Sequence, residues 1–296
     1  MTETILVIGG TGMLGQPVAR RLAADGYNVR IMSRNRSKAL ALFADFSNNH
    51  KITAIEGNID NLQSLKRAIK DCVGVHINLS GGDTEAHGVR QIIKAAQASS
   101  PNKKIKRISL ISGVTTCQEN CWYEGTRAKL QAEEILVASG FDYSIFRCTM
   151  FLETLPQWKF LVGDQPTKWH WLAASDYASM VSNAFSNKKA ANKIFFVYGP
   201  GPPYTLKEAV DNFYIPICDS SRSPIPILSV ADVTTKSKSS STFISEKIIA
   251  KHHWLARVNE LGSPKETNQL LGAPSITPSQ WCQDYANKQR TIANIM

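Results

Sequence analysis

Three glycines near the start of the chain have the spacing of a phosphate-binding turn. Gly9, Gly12 and Gly15 lie between the apolar run 5–8 and an amphipathic helical pattern. Glycine tolerates a tight turn, lets a pyrophosphate approach the backbone and allows the helix to pack close to the strand. Amides at a helix N-terminus favour an anion. We therefore predict a dinucleotide contact at Gly9, Thr11, Gly12, Met13, Leu14 and Gly15.

The residues after the second apolar run indicate which dinucleotide is preferred. NAD sites usually carry an acidic residue about 20 residues beyond the glycines, where it accepts hydrogen bonds from ribose hydroxyls. Here the run ends at Ser33 and Arg34, with Lys38 close behind, and no acid is present. A guanidinium pairs well with a 2′-phosphate and stacks on adenine. The sequence thus predicts NADP(H) with Ser33, Arg34 and Lys38 as contacts, the alternative being that Arg34 is a solvated loop charge.

The elements that must position these residues alternate between strand and helix patterns. The apolar runs typical of buried strands are 5–8, 29–32, 52–55, 73–79, 108–111 and 143–146. Between them, apolar residues recur three and four positions apart, as on one face of a helix. This alternation predicts an α/β fold, a Rossmann-type doubly wound parallel sheet with right-handed crossovers.

After Cys148 the alternation loosens. Further elements are predicted as helices at 174–185, 206–214, 245–261 and from 277 onward, with a strand at 194–197. We expect a Rossmann core over residues 1–150. Residues 151–296 should hold the remaining sheet and helix elements and a small C-terminal substrate-side lobe, with 151–171 and the region beyond Pro203 lining its pocket.

Composition narrows the class of protein. The chain has 296 residues, 43% of them hydrophobic, and a net charge of +10. No apolar run reaches the ~18 residues of a membrane span, and no leader pattern opens the sequence. The positive charges occur in small scattered groups, so nucleic-acid contact is not required. We expect a cytoplasmic monomer or homodimer without membrane contact.

Cysteine spacing offers no metal site. Of the six cysteines, only Cys117 and Cys121 lie close together, and no second pair or nearby histidine completes a set of ligands. Reduced thiols are the expectation, with a redox pair at Cys117 and Cys121 as the less favoured alternative.

With these features placed, the chain resembles the atypical short-chain dehydrogenases, within them the NmrA-like group related to isoflavone-reductase-like enzymes. The resemblance runs from Ile5 to about Gly201. Its main landmarks are the runs 7–12, 33–35, 56–60, 109–112, 129–133 and 139–147.

The resemblance implies roles for the matching positions. Asn58 and Ile59 should flank the adenine. Leu79, Ser80 and Gly81 should pass near the nicotinamide-side ribose, and Ser112 should lie at the edge of the active site. Lys129 should contact the nicotinamide ribose and assist proton transfer.

A reduction by NADPH requires a proton donor besides the cofactor. The Tyr-x-x-x-Lys pair of the wider superfamily is missing, because Tyr123 precedes Arg127 by four residues and Lys129 by six. The candidate catalytic residues are therefore Lys129, Tyr123 and Ser112, in that order. His170 stands between two tryptophans, and we expect a packed aromatic patch there rather than a catalytic histidine.

Two main functions follow. One is an NADPH-dependent oxidoreductase or isomerase that acts on a small molecule. The other is a non-catalytic NADP(H) sensor that binds a regulatory protein, as some NmrA-like members do. A weaker third interpretation is an assembly or biosynthesis factor that uses the Rossmann domain as a scaffold.

Overall fold

The computed structural model describes residues 2–44, 51–79, 83–99, 105–231, 233 and 245–295. The chain divides into two units. The first comprises Met1–Cys148, Ala174–Val197 and Gly262–Ala273, and the second comprises Thr149–Ala173, Tyr198–Leu261 and Pro274–Met296. Two segments beyond residue 150 thus belong to the first unit.

A parallel sheet forms the centre of the first unit. Within the described residues its strands are β1 (Thr4–Ile8), β2 (Asn28–Ser33), β3 (Ile52–Glu56), β4 (Gly74–Ile77), β5 (Arg107–Gly113), β6 (Tyr143–Cys148) and β7 (Lys193–Val197). Their order across the sheet is β7-β6-β5-β4-β1-β2-β3, and all neighbours are parallel. The predicted Rossmann-type sheet is confirmed.

Helices connect these strands. They are α1 (Gly15–Ala24), α2 (Arg36–Ala41), α3 (Leu62–Ile69), α4 (Asp83–Ala98), α5 (Glu124–Val137) and α6 (Ala174–Ser186), and a further helix, Lys265–Leu271, contacts β7. α4 packs against both α3 and α5, while α1 packs against α6. These contacts fit two helical layers.

The core explains why β1 is central. Leu6 and Ile8 share one apolar cluster with residues of α3 and α4, such as Leu65 and Val89. Side chains alternate along a strand, so Ile5 and Val7 point to the other face, and all four are buried. β1 lies between β4 and β2, where the strand order reverses. Such a reversal opens a crevice at the carboxyl ends of the strands, where ligands of this fold class bind.

The second unit is built from short elements. Its two-residue strands pair as Met150–Phe151 with Trp171–Leu172, Lys168–Trp169 with Tyr204–Thr205, and Leu161–Val162 with Ile227–Leu228. Its helical segments include Leu152–Gln157, Leu206–Ala209, Val210–Tyr214, Ile215–Cys218, Glu246–Leu255 and Pro278–Ile295.

One helix of this unit is shorter than predicted. The sequence pattern favours a helix over 245–261, but the helix ends at Leu255. Glu260, outside it, accepts hydrogen bonds from His170 instead. In the part of the chain that the structure describes, no helix combines the length and apolar character that a membrane span needs.

Candidate functional site

The glycine turn between β1 and α1 has no space for larger residues at two positions. Gly9 has φ of +75°, and a Cβ there would lie 2.1 Å from the carbonyl oxygen of Asn78, beyond β4. A Cβ on Gly15 would lie 2.1 Å from the Gly9 carbonyl oxygen, so α1 starts in contact with the turn. The Gly12 amide donates to that same oxygen over 3.0 Å. These contacts give Gly9 and Gly15 the turn and packing geometry that the sequence predicts.

The first turn of α1 has no side-chain cap. Leu14 precedes the helix and cannot accept a hydrogen bond from its amides, whereas Asn35 and Asn61 cap α2 and α3 with their side chains. The Gln16 side chain donates to the Thr11 carbonyl over 3.0 Å, which steadies the turn. Helix N-terminal amides without a side-chain acceptor are suited to a bound anion such as a pyrophosphate.

A cavity of about 350 Å³ lies at the carboxyl ends of β2 and β3. Its lining residues come from the ends of the two strands and from α3: Arg34, Glu56, Gly57, Asn58, Asn61, Ser64 and Arg67. The Gly57 amide donates to the Ser33 carbonyl over 3.0 Å, and the Asn58 amide donates to the buried Ser64 hydroxyl over 3.1 Å. The backbone of this wall is thereby held in place.

Two guanidinium groups line this cavity. Within the described residues, neither Arg34 nor Arg67 has a hydrogen bond or an ion pair, and Glu56 is the carboxylate among the lining residues. Arg36, by contrast, donates to the Ala54 carbonyl over 3.0 Å. Sequence reasoning missed Arg67, although its position three residues after Ser64 on an amphipathic helix was a usable signal.

Other predicted cofactor contacts lie apart from these guanidinium groups. The Ser33 hydroxyl is engaged within its own loop, where the Asn35 amide donates to it over 3.2 Å. Lys38 is exposed, and it does not line the cavity described above. Ile59 and Leu79 both approach Gly88 of α4 and pack against the core. Ser80 and Gly81 lie outside the described residues.

Lys129, the first candidate proton donor, forms an ion pair with a carboxylate that the sequence did not reveal. Its Nζ lies 2.9 Å from Glu85 Oε1, which joins α5 to α4. The Glu85 side chain is 3% exposed and that of Lys129 is 25% exposed. Burial raises the pKa of the Glu85 carboxyl, and the Lys129 ammonium opposes that rise. A Cβ at Gly113 would lie 3.5 Å from Lys129 Cδ, so the lysine stem passes the carboxyl end of β5.

The other two candidates have different environments. The Ser112 hydroxyl is buried and lies 3.3 Å from Thr116 Oγ1, which suits a structural role. Tyr123 immediately precedes α5, and burial raises its phenol pKa. The phenol therefore stays protonated at neutral pH, and its raised pKa makes it a weaker acid than an ordinary tyrosine.

The environments of Cys117 and Cys121 do not favour the alternative that they form a redox pair. Cys117 and Cys121 are free thiols, and the Cys121 Sγ lies 3.3 Å from the Cys117 carbonyl oxygen. Desolvation is the main cause that raises the pKa of both thiols. Both therefore stay protonated at neutral pH, where the thiolate is the reactive form.

In the second unit, His170 is held by Glu260. The distance from His170 Nδ1 to Glu260 Oε2 is 2.5 Å, and the His170 amide donates to Glu260 Oε1 over 3.0 Å. The flanking Trp169 and Trp171 are buried, in line with the aromatic patch that we expected. No sequence signal indicated Glu260 as the partner of His170, because the two residues stand 90 positions apart.

Comparison with known proteins gives the family. A family model described as NAD(P)H-binding matches residues 9–187, more than half of the chain. The photosystem II assembly factor Ycf39 of Cyanophora paradoxa is 26% identical over 208 residues, which cover 66% of this chain and 63% of that protein. The chain thus spans less than two thirds of that relative.

Reductase-related proteins are also similar. An isoflavone reductase homologue, A622-like, from Nicotiana tabacum is 25% identical over 227 residues, covering 70% of this chain and 71% of that protein. The NADPH-dependent quinone oxidoreductase of Escherichia coli, solved with NADPH, superposes with a TM-score of 0.72. It is 20% identical over 95% of this chain and 99% of its own.

These findings confirm the predicted Rossmann-type fold and the predicted NAD(P) cofactor class. The chain therefore belongs to the NAD(P)H-binding family, and its homologues include isoflavone-reductase-like proteins.

Proposed function

We propose that the protein binds NADP(H) on its first unit and reduces a small molecule. The observation that carries the cofactor preference is the cavity at the carboxyl ends of β2 and β3, which Arg34 and Arg67 line with guanidinium groups that have no partner among the described residues. Arginine binds phosphate oxygens through two parallel hydrogen bonds, so the two residues suit the 2′-phosphate of NADP(H). Glycines 9, 12 and 15 would hold the pyrophosphate.

Glu56 is the competing feature of this cavity. A carboxylate can accept hydrogen bonds from ribose hydroxyls, which is how NAD-specific sites work. In those sites the acid follows the second strand, whereas Glu56 ends β3 and Arg34 follows β2. With two guanidinium groups against one carboxylate, the local charge favours the phosphorylated cofactor.

Substitutions at the arginines test this preference. Arg34→Ala and Arg67→Ala should each weaken NADPH binding about tenfold or more, since a hydrogen bond to a charged group contributes about 1.5–3 kcal/mol. NADH binding should change less than threefold. Arg36→Ala is the matched control, because Arg36 is bound to the Ala54 carbonyl. Calorimetric titration with both nucleotides gives the dissociation constants, and equal losses for NADPH and NADH would contradict a phosphate contact.

Bound NADPH would supply the hydride for the reduction. The protein's own part is to orient the substrate and to provide a proton. Lys129 is suited to contact the nicotinamide-side ribose and to help move that proton, with Glu85 holding its ammonium. We propose that segments of the second unit, 151–171 and those beyond Pro203, bind the substrate.

The reductase activity itself is tested with a panel of model substrates. Oxidation of NADPH is followed at 340 nm with 4-nitrobenzaldehyde, cyclohex-2-enone and duroquinone, which represent carbonyl compounds, enones and quinones. Saturable turnover of at least one of them supports the reductase. Tight NADPH binding without any turnover contradicts it.

A non-catalytic role is the second candidate, and one relative favours it. The Cyanophora paradoxa relative is described as an assembly factor, and the chain lacks the Tyr-x-x-x-Lys pair. In that case NADP(H) binding would change the affinity for a protein partner. Pull-down from a lysate with and without NADPH, coupled with the absence of turnover, distinguishes this function from the reductase.

A further inference from the structure

The second unit contains a histidine whose ring is fixed by a buried carboxylate. The Glu260 side chain is 8% exposed, and its Oε2 lies 2.5 Å from His170 Nδ1. Its other oxygen, Oε1, accepts the His170 amide and the hydroxyl of Thr149. The carboxylate therefore has three hydrogen-bond donors around it.

The rest of the ring is partly covered. The Tyr198 ring stacks on the imidazole with centroids 4.9 Å apart and an interplanar angle of 21°. The Tyr198 hydroxyl donates to the Leu261 carbonyl over 2.8 Å, which holds the stacking ring in place. The His170 side chain is 25% exposed, and within the described residues its Nε2 has no hydrogen-bond partner. Nε2 is thus the one polar atom of the ring that is left for a ligand.

This arrangement is suited to proton transfer. A carboxylate at Nδ1 fixes the tautomer, so the neutral ring carries its proton on Nδ1 and presents a lone pair on Nε2. The same carboxylate stabilises the imidazolium that forms when Nε2 takes up a proton. The other Glu260 oxygen is held by the His170 amide and the Thr149 hydroxyl, so the carboxylate is fixed in place against the ring.

We propose that His170 is a proton-transfer residue for a small molecule bound by the second unit, and that Glu260 is its positioning residue. The inference rests on the proposed reductase function. In the proton transfer, an oxyanion of the bound molecule takes the proton from Nε2 of the imidazolium, and the electron pair of the broken N–H bond stays on Nε2. The ring is left neutral with its Nδ1 proton toward Glu260, and a hydronium ion from solvent restores the proton on Nε2.

Within the described residues, the titratable groups in contact with the ring are Glu260 and Tyr198. Burial and the Glu260 charge raise the pKa of Tyr198 to about 12, so it stays neutral in the working range. Tyr198 therefore does not take the place of His170 in the proton transfer.

Kinetics of three variants test the proposal. His170→Gln should lower kcat/KM for the substrate that turns over by about 10²–10⁴-fold. Glu260→Gln should lower it less, because the imidazole keeps Nε2 but loses the carboxylate that fixes its tautomer. His87→Gln, in the first unit with a side chain that is 45% exposed, is the control and should stay within twofold. The NADPH dissociation constant should be unchanged in all three. Wild-type kcat/KM in His170→Gln would overturn the proposal.

Imidazole ¹⁵N NMR gives a readout that does not depend on turnover. The His170 signals are assigned by their loss in His170→Gln, and phenol is the probe. A saturable shift of the Nε2 signal supports the site, and no response of Nε2 overturns it. If no model substrate turns over but Nε2 responds to phenol, the reductase proposal fails while the His170 site remains.

Discussion

Each unit of the molecule holds a candidate proton-transfer residue against a buried carboxylate: Lys129 against Glu85 in the first, His170 against Glu260 in the second. The side chains of both bases are 25% exposed, and those of the two carboxylates are 3% and 8% exposed. The two arrangements differ in what remains free. Glu85 accepts one hydrogen bond from the Lys129 ammonium, which can donate others but cannot accept one. His170 binds Glu260 through Nδ1, while its Nε2 has no partner among the described residues.

This difference indicates different roles. An ammonium has three donors, so Lys129 can keep its bond to Glu85 and still donate to a ribose hydroxyl. That combination of contacts suits a group that binds and orients. A histidine with a fixed tautomer can both accept and release a proton near neutral pH. The comparison assigns orientation to Lys129 and proton exchange to His170.

Substitution of Lys129 tests its orienting role and is expected to have a large effect on activity. Lys129→Ala should lower kcat/KM by about 10²-fold, because loss of a positioning contact misplaces the reacting groups. Lys129→Arg separates the two roles, since arginine keeps the charge but does not release a proton in proteins. Recovery to within about tenfold of wild type in Lys129→Arg supports orientation. An arginine variant as inactive as the alanine variant would contradict it.

A third base, His76, is buried with hydroxyl groups as its partners among the described residues. His76 of β4 is fully buried, with Nδ1 2.8 Å from the Ser109 hydroxyl and Nε2 3.3 Å from the Tyr177 hydroxyl. Desolvation lowers its pKa from 6.5 to about 3. Between pH 6.5 and 3 the folded state therefore binds fewer protons than the unfolded state. The contribution of His76 to the free energy of unfolding is complete above pH 6.5 and decreases as the pH falls below that value.

The expected size of that loss follows from linkage. Between pH 6.5 and 4, His76 should reduce the free energy of unfolding by about 3 kcal/mol, at about 1.4 kcal/mol per pH unit. Urea denaturation across this range measures it, with His76→Gln as the variant that lacks the titration. An equal pH slope in both proteins would refute the assignment. If His76→Gln does not fold, ¹⁵N NMR of wild type at pH 4 decides it, since the ring should still be neutral.

The smallest expected effects are on the free energy of unfolding, when the partner of each of the two carboxylates is replaced. Lys129→Met removes the cation beside Glu85 and should cost about 2 kcal/mol, below the cost for a fully buried pair because Lys129 is partly solvated. The double variant with Glu85→Gln should recover most of that loss. His170→Gln should cost about 1 kcal/mol or less, because Glu260 keeps Thr149 and the His170 amide as donors. Urea denaturation at pH 7 measures all three, and equal losses for Lys129→Met and His170→Gln would remove the distinction.

Patterns of residues a few positions apart predicted most of the fold of the first unit. The strand and helix periodicities predicted the alternating elements and the parallel sheet, and the Gly9 to Gly15 spacing predicted a turn that the structure places between β1 and α1. Arg34 was identified from its position directly after β2. The helix predicted to reach residue 261 ends at Leu255, because periodicity does not register the distant hydrogen bonds made by Glu260.

The sequence was enough to predict the alternating strands and helices of the first unit, the glycine turn and the basic residue after the second strand. Each of these depends on residues a few positions apart. Tertiary structure alone decided which carboxylate meets which base. Glu85 and Lys129 are 44 residues apart, and His170 and Glu260 are 90 residues apart. Those contacts depend on how distant helices and loops pack in the folded chain, and the spacing of residues along the chain contains no record of that packing.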